Sequence, residues 1–352
     1  MTNDSVQNIT IAITGLNATD NPGPGIPVAR GLLESNKFNC RIIGLCYDIQ
    51  EPGAYMSNLI SASYSIPYPA YGKEALLKRI LEINEQDKID IIIPNYDAEL
   101  ESFIKISSIL RNHNIYTFLP TEKQFECRDK CNLPKLGNEI GFLTPDTKIY
   151  FSTSEFLKNP PIGNCYVKGK FYEAYKALST EESKSYFFKL ASKWGFPVLS
   201  QQIVNGSEFN VVGCGDGKGN TIAAVAMKKQ FITDKGKAWS GITIKNPKII
   251  DLCNRFVRET KWNGGFELEL IIDDESNIYV IEINPRLPAW VYLAIGVGQN
   301  IPEQIALLAK GLNAPVYTDY EVGKMFIRYS WDMIVEHDDM VNFGITGTKS
   351  NS

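Results

Sequence analysis

The residues best equipped for chemistry lie in one stretch. Residues 264–272 and 278–286 are two apolar, β-branched runs separated by Asp273, Asp274, Glu275, Ser276 and Asn277, the pattern of a β-hairpin. A four-residue loop over 274–277 sets Glu269 opposite Glu282. Strand residues alternate between faces, so one face carries Phe266, Leu268, Leu270, Ile272, Tyr279, Ile281 and Ile283. The other gathers Glu267, Glu269, Glu282 and Asn284. Directly opposed like charges destabilise a strand pair, so a compensating cation is expected. Mg²⁺, a hard ion that takes carboxylate and phosphate oxygens, suits such a set. Ile271 and Val280 share this face and argue for partial burial over simple exposure to water. Arg286 follows Pro285, which ends ladder pairing. Its guanidinium beside a metal–phosphate site would stabilise charge developing on a transferring phosphoryl group.

Glu269, followed thirteen positions later by Glu-Ile-Asn-Pro-Arg at 282–286, resembles the metal-binding signature of the ATP-grasp superfamily. The style is that of the carbamoyl-phosphate synthetase and biotin carboxylase branch, with D-alanine ligase a more distant cousin. The resemblance continues, more weakly, over roughly residues 9–330. It implies ATP as cofactor and one or two Mg²⁺ ions, with Mn²⁺ as a substitute, held by Glu269, Glu282 and Asn284. It further implies that Arg286 holds an acyl phosphate or its tetrahedral successor. Lys130, before a helix-like stretch at 132–140, matches the linker lysine that reaches the ATP phosphates. Lys168, on an apolar strand at 165–168, matches the second phosphate lysine; a buried ammonium needs a partner of this kind. Gln201, Val204 and Glu208 match the adenine- and ribose-reading positions, with Gln in place of the more usual Glu. Lys228 or Lys229, ending a strand at 221–227, would face the γ-phosphate. One departure stands out: relatives cover the phosphates with a glycine-rich loop after the lysine, whereas this chain has only Gly169-Lys170-Phe171-Tyr172-Glu173.

The elements that must position these groups suit an α/β and α+β protein: a Rossmann-like parallel-sheet domain followed by a two-lobed ATP-grasp module. In residues 1–120, strands at 9–14, 40–46, 89–93 and 115–119 alternate with helices at 28–33 and 73–84, implying a parallel sheet with right-handed crossovers. A dinucleotide site is poorly supported, because the loop after the first strand lacks the Gly-x-Gly-x-x-Gly spacing. Ligands of such sheets lie beyond the carboxyl ends of strands, which makes Asn17, Asp20, Asp97 and Glu99 candidates for substrate contact. Residues 121–200 form the small lobe and 201–335 the large lobe, with ATP between them. A flexible polar tail is expected over 336–352. Asn205-Gly206 carries the strongest short hairpin signal.

At 352 residues, 44% hydrophobic and 22% charged, the chain has the composition of a soluble globular protein with two or three domains. A net charge of −4 with no basic block gives no electrostatic footprint for nucleic acid. No apolar run reaches the ~18 residues of a transmembrane helix, and the polar N-terminus has no signal-peptide pattern, so a cytoplasmic location is expected. Seven scattered cysteines without a Cys-x-x-Cys pair fit reduced thiols. With only His113 and His337, histidine-based triads are disfavoured. The expected activity is an ATP- and Mg-dependent carboxylate–amine ligase working through an acyl phosphate, on small-molecule or peptide substrates. No nucleic acid or membrane partner is expected, and a homodimer is compatible. Two alternatives stand beside it: a bicarbonate-activating enzyme that makes carboxyphosphate, and a catalytically silent ATP-binding partner protein.

Overall fold

Apolar runs separated by amphipathic helices build the first sheet of the computed structural model, which describes residues 7–19, 21–170, 173–233 and 236–351. Strands β1 (Gln7–Ile13), β2 (Phe38–Cys46), β3 (Ala62–Ser65) and β4 (Ile91–Ile93) are parallel in the order β3-β2-β1-β4. Helices α1 (Gly25–Leu33), α2 (Gly72–Gln86) and α3 (Asp97–Asn112) accompany them. Alternate residues of β1 enter different cores. Ile11 and Ile13 pack with Val28 and Leu32 of α1, and Ala12 packs with Ile80 of α2 and Phe103 of α3. A parallel sheet is stable only with both faces covered in this way. The expected Rossmann-like sheet is therefore present, with one strand reassigned. Residues 115–119 contribute only a single bridge, Tyr116 to Ile91, while the short segment Ala62–Ser65 supplies the outer parallel strand. A four-residue strand bounded by Ser and Ile-Pro carries too little periodicity to stand out in a sequence.

A second sheet is antiparallel. It comprises β5 (Thr147–Tyr150), β6 (Cys165–Gly169), β7 (Ala174–Ala177) and β8 (Val198–Gln202) in the order β5-β8-β6-β7. The helix Thr180–Trp194 closes one face, burying Phe187 and Leu190 against Tyr150, Phe156 and Val167. Its start is fixed by a capping box: Ser179 Oγ accepts from Glu182 N at 3.1 Å, and the Glu182 carboxylate accepts from Leu178 N at 2.7 Å.

The third sheet contains β9 (Ser207–Asp216), β10 (Thr221–Ile232), β11 (Ala238–Thr243), β12 (Asn263–Ile272), β13 (Ile278–Asn284) and β14 (Met325–Ile327), in the order β13-β12-β9-β10-β11-β14. Asn205-Gly206 is thus no hairpin turn, because β8 and β9 lie in different sheets. The local turn preference is overridden by the apolar faces of both strands, each buried in its own layer. The β12–β13 connection is one residue shorter than expected. Asp273 N donates to Asn277 O, and Ser276 takes the left-handed conformation at φ 65°, leaving Asp274, Glu275 and Ser276 as the loop.

The polar C-terminal stretch is not the expected flexible tail. Residues His337–Thr346 form a helix, and β15 (Thr348–Ser350) pairs antiparallel with β3 at the edge of the first sheet. Phe343 anchors it, 1% exposed within the core of α1 and β1. Two compact units result, one of residues 1–122, 211–267 and 284–352, the other of 123–210 and 268–283. No helix among the described residues is long and apolar enough to cross a membrane, and all seven cysteines are free.

Candidate active site

In the unit of residues 123–210 and 268–283, alternation along β6 decides the site. Val167 faces the helix core, so its neighbours Tyr166 and Lys168 face the opposite side. Lys168 Nζ donates to Gln201 Oε1 at 2.6 Å, and Gln201 Nε2 donates in turn to Thr147 Oγ1 at 3.0 Å. The Tyr166 ring lies 5.5 Å from the ammonium. Burial, reinforced by the charge of Lys130, pushes the Lys168 pKa down from 10.5 to about 8; Glu282 and Glu269 pull it the other way. Lys130 Nζ is 3.2 Å from Glu282 Oε1. Lys130, Lys168, Gln201, Glu269 and Glu282, from four separate segments of chain, therefore act on one another. A second cation and two carboxylates around a half-buried lysine form an array that polyphosphate and a divalent cation would complete.

Gly169 N donates to Glu173 O at 3.1 Å, closing the β6–β7 turn, and Lys170 pairs with Asp129 at 3.1 Å. Phe171 and Tyr172, the middle of the short phosphate cover expected from the sequence, lie outside the described residues. Val204 sits half-buried in the connector between β8 and β9, and Glu208 half-buried on β9. A Cβ at Gly206 would collide with the carbonyl oxygen of Ile272, so this connector is held against the end of β12.

The other unit holds the remaining candidates. Asn284 Nδ2 donates to Glu267 Oε2 at 3.0 Å, and Trp290 Nε1 donates to Glu267 Oε1 at 2.6 Å. Glu267, grouped by the sequence with the acidic face of the hairpin, is buried and orients Asn284. Arg286 Nε donates to Asp97 Oδ2 at 2.9 Å, and its Nη1 lies 4.0 Å from Glu267 Oε2. Burial lowers the Arg328 pKa to about 10, against the opposing charge of Glu267. Lys228 is half-buried on β10, opposite Ile242 of β11. Among the described residues, no three His, Cys, Asp or Glu side chains form an all-protein metal cage. Two carboxylates fit the magnesium mode in which substrate phosphates supply further ligands.

The substrate candidates of the first sheet divide. Asp97 is engaged by Arg286. Glu99 is fully buried and accepts from Asn95 N at 2.8 Å, Tyr96 N at 3.0 Å and the hydroxyls of Thr14 and Tyr47, so it is no solvated turn residue. Asn17 is half-buried, and Asp20 lies outside the described residues. Glu267, Trp290 and Asp97 escape sequence reasoning as partners of the signature. Only Glu267 and Asn284 had a signal, their grouping on one face of the hairpin; the shorter loop does not keep the register that set Glu269 opposite Glu282.

Residues 170–289 match the family model for the ATP-grasp domain. That stretch is an ATP-grasp domain. Over 217 residues the chain is 24% identical to tyramine–L-glutamate ligase of Methanocaldococcus fervens, covering 54% of this chain and 72% of that one. Over 297 residues it is 23% identical to the carbamoyl phosphate synthase large chain of Clostridium beijerinckii, covering 75% of this chain and 26% of that one. Its fold resembles biotin carboxylase of Campylobacter jejuni, with a TM-score of 0.70 at 17% identity, covering 92% of this chain and 75% of that one.

Proposed function

We propose that the enzyme joins a carboxylate to an amine, an amino acid or peptide being among the substrates, through an acyl phosphate formed from ATP. The observation that carries this reading is the half-buried Lys168, held by Gln201 and flanked by Lys130, Glu269 and Glu282. An ammonium depressed by burial regains its charge when phosphate oxygens replace lost water, so the site favours an anionic ligand over none. Lys130 and Lys168 would neutralise phosphate charge as the γ-phosphoryl group passes to the carboxylate. Glu269 and Glu282, with Asn284 two residues further along β13, are the ligands proposed for one or two Mg²⁺ ions. Bound there, Mg²⁺ supplies Lewis-acid stabilisation of the transferring group. Arg286, which donates to Asp97, is the residue proposed to hold the acyl phosphate while the amine attacks. Gln201, Val204 and Glu208 are proposed to read adenine and ribose, and Lys228 to meet the γ-phosphate.

The likeness to tyramine–L-glutamate ligase supports an amine acceptor over bicarbonate alone, and the intact charged array weighs against a silent partner protein. The test is ADP release with Mg²⁺ and pooled carboxylates and amines, with mass spectrometry of the product. Glu269→Gln should abolish turnover while its circular dichroism stays that of the wild type. Unchanged ATP consumption by that variant would overturn the assignment.

A further inference from the structure

Beyond the carboxyl ends of β2, β3 and β4, where open α/β sheets take their ligands, three tyrosines meet. Tyr47 stacks on Tyr68 with ring centroids 5.7 Å apart, and Tyr96 lies tilted against it at 5.8 Å. Beneath them are two acids with different bonding. Glu99 has its four donors. Glu51, 5% exposed, accepts from Tyr47 N at 3.0 Å and Asp48 N at 3.4 Å through Oε1 only. Its Oε2 is buried without a hydrogen-bond partner among the described residues. Burial raises the Glu51 carboxyl pKa to about 7, and its charge acts on Tyr47, Tyr68 and Tyr96, together with that of Asp48 on Tyr68. Asn17 Oδ1 and Asn95 Oδ1, from the loops after β1 and β4, are buried and unpartnered in the same way.

Every unmet group here is an acceptor. Buried acceptors left without donors are costly, and their complement is a group rich in donors with positive charge. An ammonium has three donors and no acceptor, and aromatic faces attract it. Tyr96 directly precedes Asp97, the residue that holds Arg286. We infer that the corner formed by Tyr47, Tyr68 and Tyr96, with Glu51 as counter-ion, is the subsite that recognises the amine substrate in its ammonium form. This rests on the carboxylate–amine reading above and goes further by giving the amine a place and a charge.

The experiment is titration of the full-length enzyme with tyramine, with putrescine and with 4-ethylphenol, the neutral counterpart of tyramine, followed by saturation-transfer NMR and calorimetry. At least one cationic probe should bind, and 4-ethylphenol should not displace it. Glu51→Gln should weaken binding at least about tenfold, the loss of one charged contact. Tyr68→Ala, at a half-exposed residue where folding is not at stake, should weaken it in the same direction. Both variants should bind Mg-ATP like the wild type. Unchanged amine binding in both variants, equal competition by 4-ethylphenol, or no binding of either cation by wild type would each overturn the inference. Failure of the ligase reading is separate: it would appear as absent Mg-ATP binding and absent ADP release, whatever the amines do.

Discussion

An ammonium is costly to bury unless charge or hydrogen bonds compensate it, and Lys168 is compensated only in part. Its folded pKa of about 8 lies below 10.5, so the charged form is disfavoured in the fold. The associated stability is complete above about 10.5 and is lost as pH falls through 8. At pH 7 the charge costs about 3 kcal/mol. Lys168→Met should therefore leave the nucleotide-free enzyme at least as stable as wild type at pH 7 while abolishing ADP release, measured by thermal unfolding beside the activity assay. Near pH 8.5 to 9 Mg-ATP should bind with uptake of protons by the wild type and not by Lys168→Met, which calorimetry in buffers of different ionisation enthalpy detects. Glu99 behaves oppositely. Burial pushes its pKa up to about 7 against the pull of Thr14, Tyr47 and two backbone amides. Stability is then complete below about 4.5 and declines as pH rises through 7, by about 3 kcal/mol. The melting temperature should fall between pH 5 and 8, and Glu99→Gln should flatten that decline. Lys168 was legible because a lysine inside an apolar strand is conspicuous. The Lys130–Glu282 and Arg286–Asp97 pairs were not, since no local pattern links positions that only tertiary folding brings together.

At the level of elements, the segment from β8 to β9 is the most constrained. Gly206 lies against Ile272 so closely that a Cβ would strike its carbonyl oxygen, and backbone cannot swing aside as a side chain does. Gly206→Ala should destabilise the protein by about 1–3 kcal/mol, read from urea unfolding. Because Val204 is two residues away, the KM for ATP should rise more than kcat falls. The long strands and helices were legible from periodicity. The Asn205-Gly206 signal misled for a physical reason: turn propensity is worth little against the burial of two strands in different sheets. The same competition explains β3, whose Tyr64 and Ala62 are buried although four residues show no alternation.

For the molecule as a whole, the order of motifs conveyed the fold class, while the course of the C-terminal segment lay beyond any local signal. Its polar composition reads as solvated, yet Phe343 is buried against Tyr55, with ring centroids 6.5 Å apart. Asn351 Nδ2 reaches the carbonyls of Ala54 and Ile60 at 2.9 Å each, and Arg79 Nη2 that of Gly347 at 2.9 Å. Phe343→Ala should cost about 3–5 kcal/mol, measured by urea unfolding, and no change confined to a tail would do so. The placement of β15 also bears on synthesis. At about 5–20 residues per second, translation from Ser65 to Thr348 takes tens of seconds, during which β3 waits on the ribosome as a raw sheet margin. Nascent copies on one messenger thus carry the same unfilled strand slot side by side, which makes premature pairing between polysome neighbours the hazard against which the late-arriving segment has to compete.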